Sequence, residues 1–306
     1  MSVLLVLIQI VALLLLAPLY DGIARVLRGK LQLRVGPPDV FQTYRDIIKL
    51  LKRGRVVSRY SHFVFRYGPY MLLGIGISLV AAVPIVYNSS SLMSYYSDIF
   101  IVIYLIAMMR FIFGVISIDS ANPYAGIGGS REQTMALYVE PSTIISLLVV
   151  MLLAGTSNIP AIKEMIQAGI IGYHIPSFAI ASIVFLWVMY VESGRIPYDL
   201  AEAEQEIQEG VLGEYSSFDF AIASIGLKLK QVSMIGMFLI IFEPWNFANP
   251  ILALIVTLIE IGVLYVSFVF IDNFLPRFKI LSSMKKNAFG VLSIGFISLI
   301  LYIFGV

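Results

Sequence analysis

The sequence predicts an all-α integral membrane protein with about eight transmembrane helices and one amphipathic helix on the membrane surface. Of its 306 residues, 59% are hydrophobic and only 13% are charged, and the mean hydropathy is +0.91. Apolar stretches of about 20 residues, the length that crosses the hydrocarbon core of a bilayer, recur along the chain. Lysine and arginine are concentrated in alternate connecting segments, as in multi-pass membrane proteins. We therefore expect a single membrane domain over residues 1–306.

The apolar stretches locate the spans. The first has no basic residue before it and is followed by Arg25 and Arg28, which favours a retained span over a cleaved signal peptide. Lys228 and Lys230 interrupt the sixth, so that seven spans is the alternative. The predicted spans are 3–24, 68–87, 98–118, 133–155, 175–192, 220–243, 250–271 and 288–305.

The distribution of basic residues predicts the orientation. If Lys228 and Lys230 are counted with the loop after the fifth span, all of the 21 lysines and arginines except Arg110 and Lys163 fall in the segments that follow the odd-numbered spans. Because these residues are favoured in cytoplasmic loops, we expect those segments in the cytoplasm and both termini outside.

The segment between the first two spans predicts a surface helix at about 40–53. Asp39, which follows two prolines, is a suitable N-cap. The next residues divide with helical period into an apolar and a polar face, which are Phe41, Tyr44, Ile48 and Leu51 against Gln42, Arg45, Lys49 and Lys52. Such a helix lies flat on a membrane, where anionic lipid attracts its cations. An ordinary solvated loop is the alternative.

The composition excludes several functions. A net charge of +2, with no basic tract interleaved with aromatics, argues against a nucleic-acid partner. The chain has no cysteine, and its two histidines, His62 and His174, are far apart in sequence. It therefore has no thiolate for an iron–sulfur cluster and a poor set of metal ligands. We expect no catalytic, cofactor or metal residue here, and any redox centre belongs to another polypeptide.

Arg110, Glu140 and Glu260 lie well inside predicted spans. A charge at the bilayer centre costs about 3 kcal/mol on insertion scales, so each is a functional candidate. Pro141 leaves a backbone carbonyl free one turn before Glu140, which can open a polar pocket suited to carrying protons. The alternative is that Arg110 pairs with an acid on a neighbouring helix and has only a structural role.

A cytoplasmic loop at about 193–219 is the most acidic segment. Eight of the chain's 19 acidic residues lie between Glu192 and Asp219. If a helix over 200–209 ends at Gly210, then Glu202, Glu206 and Glu209 share one face and raise one another's pKa. This arrangement favours proton uptake near neutral pH. A solvated acidic helix is the alternative.

The segment Asp119–Arg131, with the sequence DSANPYAGIGGSR, is rich in Gly, Pro and Asn and is predicted to be a loop. It lacks the Gly-Lys-Ser/Thr ending of a phosphate-binding loop, and no strand precedes it. We expect this loop to pack against a partner or against other loops.

Three stretches resemble the H-type membrane subunit of respiratory complex I and its counterparts in membrane-bound nickel–iron hydrogenases and formate hydrogenlyase. They are RVGPPDVFQTYRDIIKLLKR from Arg34 to Arg53, the glycine-rich segment leading to Glu140-Pro141, and RIPYDLAEAEQEIQEGVLGEYS from Arg195 to Ser216. The resemblance covers essentially the whole chain, and the third stretch is highly specific.

The resemblance implies a non-catalytic subunit in a prokaryotic cell membrane. It anchors a hydrophilic arm and links electron transfer to the movement of protons or sodium. Nickel–iron and iron–sulfur centres are then expected in a large and a small hydrophilic partner, beside antiporter-like membrane subunits. The implied ion-path residues are Glu140, Asp199, Glu202, Glu204, Glu206, Glu209 and Glu214, and the implied loop-docking residues are Arg34, Arg131 and Arg195.

Departures from the complex I pattern indicate the branch. The first loop lacks the insertion that complex I sequences usually carry after Gly-Pro, and this shorter form resembles the formate hydrogenlyase branch. Ala24 and Leu227 stand where complex I usually has glutamate, which argues against a quinone site. The alternatives are a quinone-site subunit of a complex I relative, an inert anchor, and an autonomous transporter, although the internal symmetry of many transporters is not found in the sequence.

Overall fold

The computed structural model describes residues 2–85, 96–201, 210–243, 245 and 250–305. Its first six helices are α1 (Ser2–Leu31), α2 (Gln42–Leu51), α3 (Phe63–Ala82), α4 (Ile99–Asp119), α5 (Pro123–Ala154) and α6 (Ile159–Gln167). The next are α7 (Pro176–Glu192), α8 (Ser217–Phe242) and α9 (Pro250–Phe274). The last span consists of α10 (Ile280–Lys285), a π-helical turn (Lys286–Val291) and α11 (Leu292–Ile303).

The predicted fold class is confirmed. Seven helices in the described ranges are long and apolar enough to cross a membrane: α1, α3, α4, α5, α8, α9 and the continuous α10–α11. The helix α7 is a shorter apolar helix of 17 residues. Each of the eight predicted spans overlaps one of these helices, and no strand occurs in the part of the chain that the structure describes.

The helix α8 lies at the centre of the bundle. In its most apolar stretch 72% of the residues are buried, compared with 22% for α9 and for α10–α11 at the periphery. It packs closely on α3, because Gly76 and Gly226 face each other at the crossing. A Cβ atom on Gly226 would lie 2.8 Å from the backbone of Leu72, a distance that only glycine allows. The central position of α8 brings its polar residues against several neighbouring helices.

The two lysines that made the sixth span doubtful do not interrupt the helix. The Lys228 ammonium lies 3.1 Å from the Asp21 carboxylate of α1, and the Lys230 ammonium lies 2.8 Å from the Glu192 carboxylate of α7. Because each cation has an acid on a neighbouring helix, α8 continues through both positions for 26 residues.

The prediction of a loop over 119–131 is wrong from Pro123 onward, where α5 begins. The side-chain oxygen of Asn122 accepts a hydrogen bond of 2.8 Å from the backbone N–H of Tyr124, and Pro123 occupies the first helical position. These are favourable helix-start features. Gly129 packs directly against Ser117 of α4, so this glycine serves close helix packing and not a loop.

A helix, α2, is present where the surface helix was predicted, but it begins at Gln42 with Phe41 in the N-cap position, so the prediction of Asp39 as the N-cap is wrong. This helix is fixed to α1 by the Arg25–Asp46 ion pair of 2.8 Å and by a hydrogen bond of 3.1 Å from the Thr43 hydroxyl to Asp21. Partial burial alone would raise the pKa of the Asp46 carboxyl, but hydrogen bonds from Arg25 and Gln42 hold it below its usual value. Because Asp21 also pairs with Lys228, α2 lies against both α1 and α8.

Candidate functional site

Four charged side chains from four different helices meet inside the bundle. Arg110 of α4 lies between Glu140 of α5 and Glu192 at the end of α7, and Lys230 of α8 lies on the far side of Glu192. We call these four residues the charge chain. Its order is Glu140, Arg110, Glu192 and Lys230, with acids and cations alternating.

The geometry of the charge chain is close. The Arg110 Nη1 atom is 2.8 Å from Glu140 Oε1, its Nη2 atom contacts Glu192 Oε1, and Lys230 Nζ is 2.8 Å from Glu192 Oε2. Arg110, Glu192 and Lys230 are each less than 10% exposed. Pairing and hydrogen bonding compensate for removing these charges from water. The pairing with an acid on a neighbouring helix, considered as the alternative for Arg110, is therefore present, and it involves two acids.

A small pocket adjoins the inner end of the charge chain. Its volume is about 90 Å³, and its wall includes Arg110, Glu192, Lys230, Glu132 and Asp199. This volume has room for about three water molecules. Carboxylates and a lysine around such a space can exchange protons with water, whereas an arginine guanidinium keeps its proton.

The outer end of the charge chain faces away from the bundle. Glu140 lies near the middle of the 32-residue α5, and its side chain is 42% exposed. Leu137 and Ile144, one turn before and after it, are 68% and 44% exposed. The three residues share one helix face. Among the residues that the structure describes, only Arg110 is seen to form an ion pair with this carboxylate.

A second buried group of charges joins α1, α9 and the segment after α7. Asp272 of α9 is 2.5 Å from Arg28 of α1 and accepts a hydrogen bond of 3.1 Å from the Tyr190 hydroxyl. Arg195 lies 3.8 Å from the same carboxylate and stacks over the Tyr265 ring, 4.0 Å from its centroid. Arg195, expected at a docking loop, is thus 8% exposed and packs inside the subunit.

The other predicted residues are dispersed. Asp199 pairs with Arg277 at 2.6 Å, and Glu214 accepts a hydrogen bond of 2.7 Å from Asn122. Arg34 is exposed, and Arg131 is half-buried at the start of α5. The predicted acidic helix face, with Glu202, Glu204, Glu206 and Glu209, lies outside the described residues.

Glu260 belongs to a different cluster, at the opposite end of the bundle. Its carboxyl group hydrogen-bonds that of Glu243, which follows α8, and Lys163 of α6 lies near both. Burial and the neighbouring Glu260 carboxyl raise the pKa of Glu243 to about 8, while Lys163 opposes the shift. Burial also lowers the pKa of the Lys163 ammonium. This pair is separate from the charge chain.

Sequence reasoning missed two members of the charge chain. Glu192 looked like the first acid of a polar loop, and Lys230 looked like an interruption of a span. The signal that identifies them is their position, since each is a charge within or at the end of an apolar helix. No group of three potential metal ligands occurs in the part of the chain that the structure describes.

Comparison with known proteins agrees with this architecture. A sequence model of the NADH dehydrogenase family matches residues 3–303. Formate hydrogenlyase subunit 4 of Escherichia coli K12 is 36% identical over 98% of this chain and 99% of its own length. Hydrogenase-4 component C of the same organism is 38% identical over 89% of this chain and 87% of its own length.

The fold also matches a solved structure. A chain of the membrane-bound sulfane sulfur reductase, an archaeal respiratory membrane complex, superposes with a TM-score of 0.87 at 22% identity and covers 97% of this chain and 98% of its own. The family match and the full-length hydrogenase relatives confirm the resemblance inferred from the sequence motifs. This chain is a member of the NADH dehydrogenase family of membrane subunits and is related to the formate hydrogenlyase and hydrogenase components.

Proposed function

We propose that this chain is the membrane-anchor and coupling subunit of a membrane-bound hydrogenase-type complex. It holds a hydrophilic arm that carries nickel–iron and iron–sulfur centres, and it links electron transfer there to the movement of protons or sodium. The observation that carries the proposal is the charge chain, which runs from the small pocket near Glu132 to the outward-facing carboxylate of Glu140.

The charge chain suits proton transfer better than quinone binding. The pocket at its inner end has a volume of about 90 Å³ and several charged groups in its wall. Sites for small organic ligands have volumes of about 300–1,000 Å³ and mostly apolar walls. A pocket of this size and polarity fits water and protons, which supports the coupling role over the quinone-site alternative.

The end of the bundle that carries most basic residues is the proposed docking face for the hydrophilic arm. We take this face as cytoplasmic from the charge distribution. Connecting segments there expose apolar side chains, with Leu33, Val35 and Val56 more than 70% exposed. These residues lie outside the predicted spans, and exposed apolar clusters in water are typical of protein–protein contacts.

The exposed side of Glu140 is the proposed contact with a membrane partner. A carboxylate that faces hydrocarbon is costly, so a polar group of a neighbouring subunit at this position would stabilise it. Antiporter-like subunits, which work by passing protons or sodium, fit such a contact. Because the Arg110 guanidinium keeps its proton, Glu192 and Lys230 would influence Glu140 through their charge, and Glu140 would itself exchange protons with the partner.

Ion transport by the intact complex tests the proposal. We expect Glu140→Gln in proteoliposomes to lower the number of ions moved per electron by roughly tenfold or more, since a general acid–base group contributes at least that much. Electron transfer to an artificial acceptor should change little. Glu140→Asp should restore part of the coupling.

The matched control is Glu164→Gln, which removes an exposed acid of α6 that is not part of the charge chain. It should leave the ion-to-electron ratio at the wild-type value. An unchanged ratio in Glu140→Gln, with the complex assembled, would contradict the proposal and favour an inert anchor.

A further inference from the structure

A large cavity lies at the basic end of the last span. Its volume is about 720 Å³, within the range of ligand pockets. The wall is formed by one residue of α5 and by the segment that begins the last span: Arg131, Lys279, Ile280, Leu281, Ser282, Lys285 and Lys286. This cavity is separate from the pocket of the charge chain, since the two share no lining residue.

Positive charge dominates the cavity. Four of its lining residues are basic, and none of the described lining residues is acidic. The sequence has no acidic residue between Asn273 and Val291. Arg277 in this stretch is engaged by Asp199 at 2.6 Å, whereas Lys279, Lys285 and Lys286 are exposed. Lys286 is positioned by the Phe278 ring, whose centroid is 3.1 Å from its ammonium. The cavity therefore presents a concentrated positive charge to its surroundings.

Apolar surface begins at the same cavity. Leu281, in its wall, is 71% exposed, and Phe289 in the π-helical turn is 78% exposed. Ile297 and Ile300 of α11 continue the exposed apolar surface along the last span, at 50% and 49%. The cations thus lie at the boundary between the polar end of the bundle and a surface suited to lipid chains.

We propose that this cavity binds the phosphate headgroup of an anionic phospholipid, whose acyl chains lie along α11. Basic pockets at the cytoplasmic side of membrane helices bind such headgroups, and lysine and arginine donate charge-assisted hydrogen bonds to phosphate oxygens. A free phosphate ion offers the same chemistry but makes no use of the apolar surface. An acidic protein surface would leave Leu281 and Phe289 uncovered.

The amount of phospholipid that stays bound to the purified complex tests the proposal directly. The intact complex is purified from membranes, exchanged into detergent with defined amounts of phosphatidylglycerol and phosphatidylcholine, and examined by native mass spectrometry. We expect phosphatidylglycerol to be retained in preference to phosphatidylcholine. The triple change Lys279→Gln, Lys285→Gln and Lys286→Gln should weaken that retention by roughly a hundredfold, because each lysine near an anionic surface adds roughly fivefold to binding.

A second triple change controls for the loss of charge. Lys30, Arg59 and Arg66 are exposed on the same face of the protein, outside the cavity and outside the surface helix α2. Their replacement by glutamine should leave the retention of phosphatidylglycerol within about twofold of wild type, because only charges close to the headgroup contribute strongly. The triple change of the cavity lysines to arginine keeps the charge and should retain the lipid. This variant also keeps the test decisive if the glutamine variant fails to fold.

Three outcomes would overturn the proposal. The cavity variant could retain phosphatidylglycerol as well as wild type does. Inorganic phosphate alone, added in detergent, could bind to the wild-type complex and displace the lipid at equal concentration, which would indicate a site for a soluble anion. The cavity variant could instead lose the hydrophilic arm while its lipid content stays unchanged, which would indicate a protein contact.

Discussion

The Lys230 ammonium of α8 lies 2.8 Å from the Glu192 carboxylate of α7, and both side chains are buried. Glu192 is also held by Arg110, so the two cations share one carboxylate between them. Of these cations, only the lysine can release its proton under physiological conditions. The pair is therefore the point where the charge chain can exchange protons with the adjoining pocket.

Lys230→Arg separates proton transfer from structural support. Arginine keeps the positive charge beside Glu192 but does not deprotonate. We expect the assembled complex to retain electron transfer, while the number of ions moved per electron falls at least about tenfold. Proteoliposome measurements check this, and unchanged coupling in Lys230→Arg would show that Lys230 is only a structural counter-charge.

Lys230→Met tests the structural contribution of the same pair. Removing one partner of a buried ion pair leaves an acid with less compensation and typically costs about 3–5 kcal/mol. We expect a lower free energy of unfolding in detergent titrations of the purified protein. Part of the loss should return in the double variant with Glu192→Gln, since the two residues are in contact. Fully additive effects would contradict the pairing.

Gly226→Ala should weaken the contact between α3 and α8. The added Cβ atom would lie 2.8 Å from the Leu72 backbone, so the helices must separate, at a cost of about 1–3 kcal/mol in the free energy of unfolding. Gly74→Ala on α3 is the matched control, because its Cβ meets nothing within 4 Å. The control should be neutral or slightly stabilising, since alanine favours helix. Equal effects of the two changes would refute the close crossing.

Arg195→Lys should destabilise the segment after α7. Arginine stacks over the Tyr265 ring and donates a hydrogen bond of 3.1 Å to the Tyr265 carbonyl, and lysine lacks the planar group for the stack. We expect a loss of about 1–2 kcal/mol in unfolding free energy. Arg34→Lys, at an exposed position, should cause no measurable change. A loss of the hydrophilic arm without any change in stability would instead indicate a docking role for Arg195.

The Glu243 carboxyl should titrate near neutral pH. Its pKa is raised to about 8, chiefly by burial and then by Glu260, so it is protonated at pH 7. The carbonyl band of a protonated carboxyl in infrared spectra should disappear with a midpoint of about 8. Glu260→Gln removes a negative neighbour and should lower this midpoint, whereas Lys163→Gln removes a cation and should raise it. If both variants shifted the midpoint in the same direction, Glu260 and Lys163 would not be acting on Glu243 with opposite charges as the cluster requires.

The same shift determines how stability depends on pH. The pKa of Glu243 is higher in the folded protein than in the unfolded chain, so protonation of this carboxyl stabilises the folded state. This contribution to the free energy of unfolding is fully present below the unfolded pKa of about 4.5. The contribution is lost as the pH rises toward about 8. Glu243→Gln should remove this part of the pH dependence of thermal unfolding, measured in detergent.

The amino-acid sequence by itself determined the class of fold, the eight apolar segments and the surface helix. These features depend on local properties, since a stretch of about 20 apolar residues crosses a bilayer whatever its neighbours are. The sequence also identified Arg110, Glu140 and Glu260 as unusual, because a charge within such a stretch is costly in any membrane fold. The family motifs were equally local, and the comparisons confirmed them.

Only the tertiary structure decided which charges meet. Glu192 and Lys230 are 38 residues apart and join because α7 packs on α8. Glu260, also an acid within an apolar helix, joins a cluster at the other end of the bundle. The glycine-rich segment was predicted as a loop because Gly, Pro and Asn disfavour the interior of a helix, yet the absence of a side chain at Gly129 allows α5 to approach α4. Pairing and close packing depend on helices distant in sequence, so hydropathy and spacing do not determine them.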